Sequence, residues 1–200
     1  MGRVSQAQAQ QNRAHIVATA ARLFRERGIA GVSVAHVMAE AGLTHGGFYK
    51  HFASKDALVA EAVTEAFIEQ AATFQDRAGG PDPETPEKPE TPEKPESLGG
   101  LLDAYLSPDH RDHPGTGCPS AGFGGDIARA AGGDGTRRAY AQGVEAFASR
   151  LGDHGEPDLA TLSTMVGALI LARATAGTDL SDRILAEARS ALEETTVLRK

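Results

Sequence analysis

The sequence predicts an all-α fold, and three observations support this. Apolar residues recur at steps of three and four between Ile16 and Phe24, which is the period of an amphipathic helix. Similar stripes return through the rest of the chain, separated by glycine, proline and serine. No run of residues alternates between apolar and polar over the length of a strand. With 200 residues, 40% of them hydrophobic, the chain is long enough to bury a sizeable core.

Two helices joined by a short turn open the chain. The first is predicted over 11–27 and ends at Gly28, because glycine readily adopts the left-handed conformation that terminates a helix. Ser33 is the expected N-cap of the second helix, since its hydroxyl can accept a hydrogen bond from a free backbone N–H group. The second helix is predicted to end at Gly42, so that a tight turn leads directly into the next segment.

The third helix is short and combines poor helix formers with many polar groups. It is predicted to run for about two turns, from the N-cap Thr44 to His51, before Ser54 caps a longer fourth helix. Gly46 and Gly47 each lower the stability of the third helix by about 1 kcal/mol relative to Ala. Packing must therefore hold it in place. One face supplies three apolar anchors for this purpose: Leu43, Phe48 and Phe52.

The charge distribution fits binding to a polyanion by one end of the chain. Residues 1–60 carry seven Lys or Arg against three acidic residues, a net charge of +4, while the remaining residues sum to −11. Lys and Arg drive binding to nucleic acids by neutralising phosphates. The turn at Gly42 also has the glycine-assisted form of a helix-turn-helix, whose second helix enters the major groove of DNA. These features predict a DNA-binding domain over 1–53 and a connecting helix over 54–80.

The second half of the chain predicts a linker and a helical body. Residues 81–97 contain the hexad ETPEKP twice in tandem, and proline at this frequency excludes a helix, so we expect a solvated, disordered linker. An irregular, proline-rich loop is expected over 107–119. A ligand-binding and dimerisation domain over 98–200 is predicted to contain five helices, over 98–106, 120–130, 136–151, 158–176 and 181–196. Ser181 is the expected cap of the last helix.

The segment AARLFRERGIAGVSVAHVMAEAGLTHGGFYKHFASKDALV, residues 20–59, resembles the DNA-binding domain of the tetracycline-repressor-like (TetR) family of bacterial transcriptional regulators. Its most specific part is FYKHFASKDAL. The resemblance implies a homodimer with two helix-turn-helix heads and an all-α C-terminal domain that holds a ligand pocket. It also implies a repressor that a small-molecule effector releases from a palindromic DNA operator.

The resemblance further implies which residues contact DNA. The N-caps that lie near the DNA backbone are Ser33 and Thr44. The residues that face base edges are His45, Gly47 and Lys50. The residues that contact phosphates are Tyr49, His51 and Lys55. Gly46 belongs to the same surface. Gly46 and Gly47 replace the larger residues that many family members carry, so that base reading is expected to fall on His45, Thr44 and Lys50. The alternative is a surface helix with a mixed polar face.

Apolar residues of the body are candidates for an effector pocket, and each could equally be plain core: Leu102, Tyr105, Leu106, Cys118, Phe123, Ile127, Tyr140, Val144, Phe147, Met165 and Leu169. The last two helices are rich in Gly and Ala and predict a dimer surface, with a buried monomer core as the alternative. The residues expected at this interface are Leu162, Val166, Ile170, Ile184, Leu185, Ala188 and Leu192.

Cys118 is the single cysteine, so an internal disulfide is excluded and a reducing compartment is favoured. Its spacing from His110 and His113 is not a standard zinc pattern, and no nucleophile motif surrounds it. We therefore predict no metal, no cofactor and no enzymatic activity. An alternative to the effector-controlled repressor is a redox or electrophile-sensing regulator that uses Cys118. If Cys118 has no such role, we expect it to be a small buried side chain that only contributes to packing.

The sequence also predicts a cytoplasmic protein without a membrane partner. The N-terminal residues lack the apolar segment of a secretory signal. No apolar stretch approaches the roughly 20 residues that a membrane-spanning helix needs.

Overall fold

The computed structural model describes residues 6–77, 98–129, 132–152 and 156–198, so the predicted ETPEKP linker lies outside the described residues. Within those ranges the regular secondary structure consists of helices without a strand, which confirms the predicted fold class. None of the helices described is long and apolar enough to span a bilayer.

Residues 6–77 contain three α-helices and one short 3-10 helix. They are α1 (Gln6–Arg27), α2 (Val34–Glu40), the 3-10 helix His45–Lys50, which we call the 45–50 helix, and α3 (Lys55–Arg77). The first begins five residues before the predicted start, because the Gln- and Ala-rich segment that precedes the apolar stripe consists of good helix formers. The short helix predicted after Thr44 is present, and it takes the 3-10 form, in which hydrogen bonds join residues three apart.

Six further α-helices lie in the described residues of the C-terminal half. They are α4 (Leu98–Tyr105), α5 (Pro108–Asp112), α6 (Pro119–Ala128), α7 (Gly133–Leu151), α8 (Leu159–Ala174) and α9 (Asp179–Leu198). The loop expected over 107–119 is more ordered than predicted, since it holds α5 and a 3-10 turn at Pro114–Thr116. Proline is compatible with both because it occupies the first helical position of each, where a backbone N–H group is not required.

Two compact units make up the chain, and the first combines the N-terminal helices with a later segment. It comprises residues 1–67 and 113–145. Its core contains large side chains from α1, the 45–50 helix, α3 and α6, all at most 4% exposed: Phe24, Phe48, Leu58, Phe123 and Ile127. The predicted boundary at residue 53 does not coincide with this division, because α6 contributes two side chains to the core of the N-terminal helices.

The second unit comprises residues 68–112 and 146–200. Here α8 packs along α9, with α5 against α8 and α4 against α9. Arg173 of α8 donates hydrogen bonds to the carbonyl oxygens of His110, at 2.9 Å, and Arg111, at 3.1 Å, which caps the C-terminal end of α5.

Ser181 is not the N-cap of the last helix, so this prediction is wrong. The helix begins two residues earlier, at Asp179, an acidic residue that is favoured in the first turn of a helix. Ser181 is buried inside α9 instead, and its hydroxyl donates to the carbonyl oxygen of Ala172 in α8 at 2.8 Å.

Gly143 of α7 marks a close approach within the first unit. A Cβ atom at this position would overlap with the ring of Phe67 in α3, whose centroid lies 6.0 Å from that of Tyr140. Gly135 lies on the same helix, and nothing would come within 4 Å of its Cβ. The first glycine is therefore required by packing, whereas the second is not.

We expect Gly143→Ala to destabilise the protein by about 1–3 kcal/mol, because the added methyl group forces Phe67 out of its place. Gly135→Ala is the matched control, and it should stabilise by up to about 1 kcal/mol through helix propensity alone. Urea unfolding of the two variants measures both effects. Equal stabilisation by the two substitutions would contradict the close approach.

Candidate nucleic-acid interface

The turn between α2 and the 45–50 helix is built on Gly42. This residue has φ 68° and follows the last turn of α2, in which its N–H group donates to the carbonyl oxygen of Ala39 at 3.0 Å. Leu43 donates to Met38 at 2.8 Å, and together the two bonds form the Schellman ending of a helix. The predicted glycine-assisted turn of a helix-turn-helix is confirmed, and α2 contacts both α1 and the 45–50 helix.

The two predicted N-caps of this region behave differently. The hydroxyl of Ser33 accepts from the N–H group of His36 at 3.1 Å, as expected of an N-cap. Thr44 occupies the cap position of the 45–50 helix, but its side chain makes no capping hydrogen bond. Its carbonyl oxygen accepts from Gly47 at 2.9 Å instead. The hydroxyl of Thr44 is therefore not committed to the end of its own helix.

Aromatic packing holds the 45–50 helix from behind. Phe48 is fully buried and stacks on Phe52, with ring centroids 5.5 Å apart and planes inclined at 26°. The guanidinium of Arg13 in α1 lies 4.7 Å from the centroid of the Phe52 ring and makes a bidentate ion pair with Glu61 of α3. The predicted anchoring role of the two phenylalanines is confirmed. Sequence spacing gave no indication of Arg13, because its partner is 48 residues away.

The opposite face of the 45–50 helix is open. Its exposed residues are Thr44, His45, Gly46, Tyr49 and Lys50, while Gly47 and His51 are half-buried. Tyr49 is 70% exposed, although its ring contacts Phe48 edge-on at 5.2 Å. A Cβ at Gly46 would have nothing within 4 Å. Hydroxyl, imidazole and ammonium groups thus share one uncovered surface, and these are donors suited to phosphates and base edges.

Lys55 lies apart from that surface. It is half-buried at the first position of α3, and its ammonium donates to the carbonyl oxygen of Ile29 at 2.6 Å. The same ammonium lies 5.9 Å from the centroid of the Phe24 ring. In this arrangement the Lys55 ammonium is hydrogen-bonded to Ile29, and it does not take part in the exposed surface where the resemblance implies a phosphate contact.

Cys118 lies in the first unit, at the N-cap position of α6, and is 2% exposed. The carbonyl oxygen of the preceding Gly117 accepts a 3.4 Å hydrogen bond from Arg25, a buried residue of α1. Tyr140 of α7 donates to the carbonyl oxygen of Ser120 at 2.8 Å. Burial, and then the neighbouring Cys118, raise the pKa of Tyr140 to about 12. The start of α6 is thus fastened to both α1 and α7.

The predicted pocket residues are divided between the two units. Six lie in the second unit and are buried there: Leu102, Tyr105, Leu106, Phe147, Met165 and Leu169. Five lie in the first: Cys118, Phe123, Ile127, Tyr140 and Val144. Phe123 and Ile127 belong to the shared core described above, so their burial has a structural explanation.

The predicted dimer residues fall into two groups. Leu162, Leu185 and Leu192 are buried within the protomer, where they contribute to the α8–α9 contact. Ile170 is exposed, and Val166, Ile184 and Ala188 are half-buried. Three other leucines of these helices are exposed to about the same degree as Ile170 or more: Leu159, Leu171 and Leu180. The unpaired apolar surface of α8 and α9 therefore differs in part from the predicted set.

Comparison with known proteins bears on this geometry. Residues 16–62 match the sequence profile of the bacterial regulatory proteins of the tetR family. A 61-residue segment is 38% identical to the HTH-type transcriptional regulator AcrR of Shigella flexneri. This aligned segment covers 30% of this chain and 28% of that protein. The chain thus aligns with less than a third of that relative's length.

Solved structures share the fold over nearly the whole chain. A TetR transcriptional regulator from Chloroflexus aurantiacus is 24% identical, with a TM-score of 0.64 and 94% of both chains covered. A TetR-family regulator from Cytophaga hutchinsonii is 18% identical, with a TM-score of 0.65, covering 94% of this chain and 96% of that one. The reduced form of NemR from E. coli is 18% identical, with a TM-score of 0.63, covering 90% and 96%. These likenesses establish the fold.

We expect Ser33→Ala to destabilise the protein by about 1 kcal/mol, because the first turn of α2 loses its side-chain cap. Thr44→Ala should change the stability by less than about 0.5 kcal/mol, since that hydroxyl caps nothing. Thermal unfolding of both variants distinguishes the two positions. An equal loss at Thr44 would show that its hydroxyl does cap the 45–50 helix.

Proposed function

Because residues 16–62 match the sequence profile of the tetR family of bacterial regulatory proteins and contain a helix-turn-helix, we propose that the protein is a DNA-binding transcriptional repressor that a small-molecule effector releases from its operator. It acts as a homodimer on a palindromic site in the cytoplasm. Each head places its 45–50 helix in the major groove, and the rest of the chain supplies the dimer contact and the effector site.

The open face of the 45–50 helix carries the proposal. Its backbone is held by Phe48 and Phe52, so that Tyr49 and Lys50 are presented on a fixed support. Tyrosine hydroxyl and lysine ammonium groups are common donors to phosphate oxygens. A groove-facing helix that is already positioned loses less conformational entropy on binding than one that must first fold.

The apolar surface of α8 and α9 supports the homodimer. Ile170 and Leu171 of α8 are 43% and 57% exposed, and Leu180 of α9 is 49% exposed. A second copy can cover this surface by forming a four-helix bundle with the same two helices. Two heads on a twofold body then read half-sites that are one helical turn apart or a multiple of it.

The contacts of the body favour an apolar effector over an acidic one. An arginine such as Arg111 could pair with an acidic ligand, but hydrogen bonds with Asp112 and then Asp182 raise the pKa of Arg111 and occupy its guanidinium. The guanidinium of Arg129 is likewise paired, with the carboxylate of Asp126 at 3.1 Å. Aromatic side chains such as Tyr105 and Phe147, with centroids 6.1 Å apart, remain as apolar lining for an effector.

We expect the double variant Tyr49→Ala/Lys50→Ala to lose about 1–3 kcal/mol of DNA-binding free energy per head and to reduce the salt slope by about one per head. The probe is a double-stranded fragment that the wild-type protein selects from a random pool. Arg137→Ala is the control, since it removes one exposed cation from α7 in the same unit. Unchanged affinity in a folded double variant would overturn the proposed interface.

A second candidate function is control of DNA binding through the Cys118 thiol. The observation that favours it is the hydrogen bond from Arg25 of α1 to Gly117, the residue before Cys118, which ties the thiol-bearing segment to the N-terminal helices. Among the structural relatives, NemR was solved in a reduced form. Oxidation by hydrogen peroxide would convert the thiol to a sulfenic acid and release water, and the larger polar group no longer fits a buried position.

Cys118→Ser distinguishes the two functions, because this chain then contains no thiol. For the sensor, we expect treatment with an excess of hydrogen peroxide to release the wild-type protein from its selected DNA and to leave the variant bound. Gel-shift titrations of both proteins, with and without peroxide, provide the measurement. Release of both proteins to the same extent would exclude Cys118 as the switch.

A further inference from the structure

The peptide groups of Ile29 are held from both sides in the turn between α1 and α2. The Ile29 N–H group donates to Oδ2 of Asp126 in α6 at 2.6 Å. The Ile29 carbonyl oxygen accepts from the Lys55 ammonium at the start of α3, also at 2.6 Å. The three residues belong to the first unit, and Ile29 is 4% exposed. They form a continuous chain of hydrogen bonds, which we call the 126–29–55 relay.

Both bonds of the relay have a charged partner. Hydrogen bonds to a carboxylate or from an ammonium are shorter and roughly twice as strong as those between neutral groups. The side chain of Asp126 is 15% exposed, and its other oxygen accepts from Arg129 at 3.1 Å. Gly28, with φ 75°, leaves room for the carboxylate, because a Cβ there would lie 3.0 Å from Oδ2. Solvent therefore competes weakly for the Asp126 oxygens.

The relay ends beside the DNA-facing helix. Lys55 is the first residue of α3, directly after the segment that contains Phe52, and Phe52 stacks on Phe48 of the 45–50 helix. The bond from Lys55 to Ile29 thus fixes the start of α3 to the turn between α1 and α2. The position of the 45–50 helix depends on the turn that precedes it and on the helix that follows it.

We propose that Asp126 is a positioning residue for DNA binding, which acts through the Ile29 peptides and Lys55 on the placement of the 45–50 helix. Lys55 serves in this relay and is not a phosphate contact. The inference rests on the proposed DNA-binding function and deepens it by adding residues far from the groove-facing surface.

The direction of the change in DNA affinity distinguishes a positioning role of Asp126 from a general electrostatic effect of its charge. Removal of a negative charge from a DNA-binding unit ordinarily strengthens DNA binding, because repulsion of phosphates is reduced. Loss of the Asp126 carboxylate should weaken binding instead, since the relay is broken. Asp134 is an exposed carboxylate in α7 of the same unit and provides the matched control.

The first experiment compares Asp126→Ala, Asp126→Asn and Asp134→Ala on the DNA fragment that the wild-type protein selects from a random pool. We expect Asp126→Ala to bind about 10-fold more weakly with an unchanged salt slope. Asp126→Asn keeps an oxygen that can accept from Ile29 and should recover most of the affinity. Asp134→Ala should bind as well as the wild type or more tightly. Wild-type affinity in a folded Asp126→Ala protein would overturn the proposal.

A double-mutant cycle with Lys55→Met tests the relay directly. If Asp126 acts through Lys55, the two losses of affinity are less than additive, whereas independent roles give additive losses and overturn the proposal. A fall in salt slope of about one per head in Lys55→Met would identify a phosphate contact and would also overturn it.

Two different measurements test the proposed function and the relay: DNA selection tests the function, and amide hydrogen exchange tests the relay. If the wild-type protein selects no DNA, the proposed function fails. Amide hydrogen exchange then measures the relay without DNA: the Ile29 amide should exchange faster in Asp126→Ala than in Asp134→Ala. Equal exchange rates in these two variants would show that the relay is absent.

Discussion

The burial of Phe48 holds in place the 45–50 helix, whose exposed face is the proposed DNA-binding surface. The 45–50 helix has two glycines, and bonds that join residues three apart have poorer geometry than those of an α-helix. Such a segment is not stable alone in water. Complete burial of one aromatic ring, stacked on Phe52, provides the free energy that the backbone lacks. The polar side chains on the other face can then vary in chemistry without unfolding their support.

The core around Phe48 is shared with α6, and this changes how the chain is divided. Phe123 and Ile127 of α6 are buried in the same cluster as Phe24 of α1. Arg25 and Asp126 add polar links between the same two helices, through Gly117 and Ile29. The N-terminal head, which we propose binds DNA, is therefore not complete at the end of its helix-turn-helix. Any ligand that displaces α6 must also disturb the core of the head, because close-packed interiors do not deform smoothly.

Sequence patterns predicted the features that depend on neighbours along the chain. The helices, the Gly42 turn, the Ser33 cap and the anchoring face of Phe48 and Phe52 all follow from local spacing. The 3-10 form of the 45–50 helix could not be predicted, because periods of 3.0 and 3.6 are indistinguishable over six residues. The link between Ile29 and Asp126 joins residues 97 positions apart, and no pattern in a single sequence marks such a pair. The hydrogen bond from the Lys55 ammonium to the carbonyl oxygen of Ile29 joins residues 26 positions apart and is likewise not marked by any local pattern.

The open space around Gly46 bears on how this protein could evolve. No atom would lie within 4 Å of a Cβ at this position, and its backbone is not in the left-handed region. A new side chain could therefore be added on the exposed face without strain or loss of packing. It would be placed among Thr44, His45 and Lys50, where it adds a group to the proposed base-reading surface. Under the proposed function, a duplicated copy of the gene could acquire a different operator by one substitution that is neutral for folding.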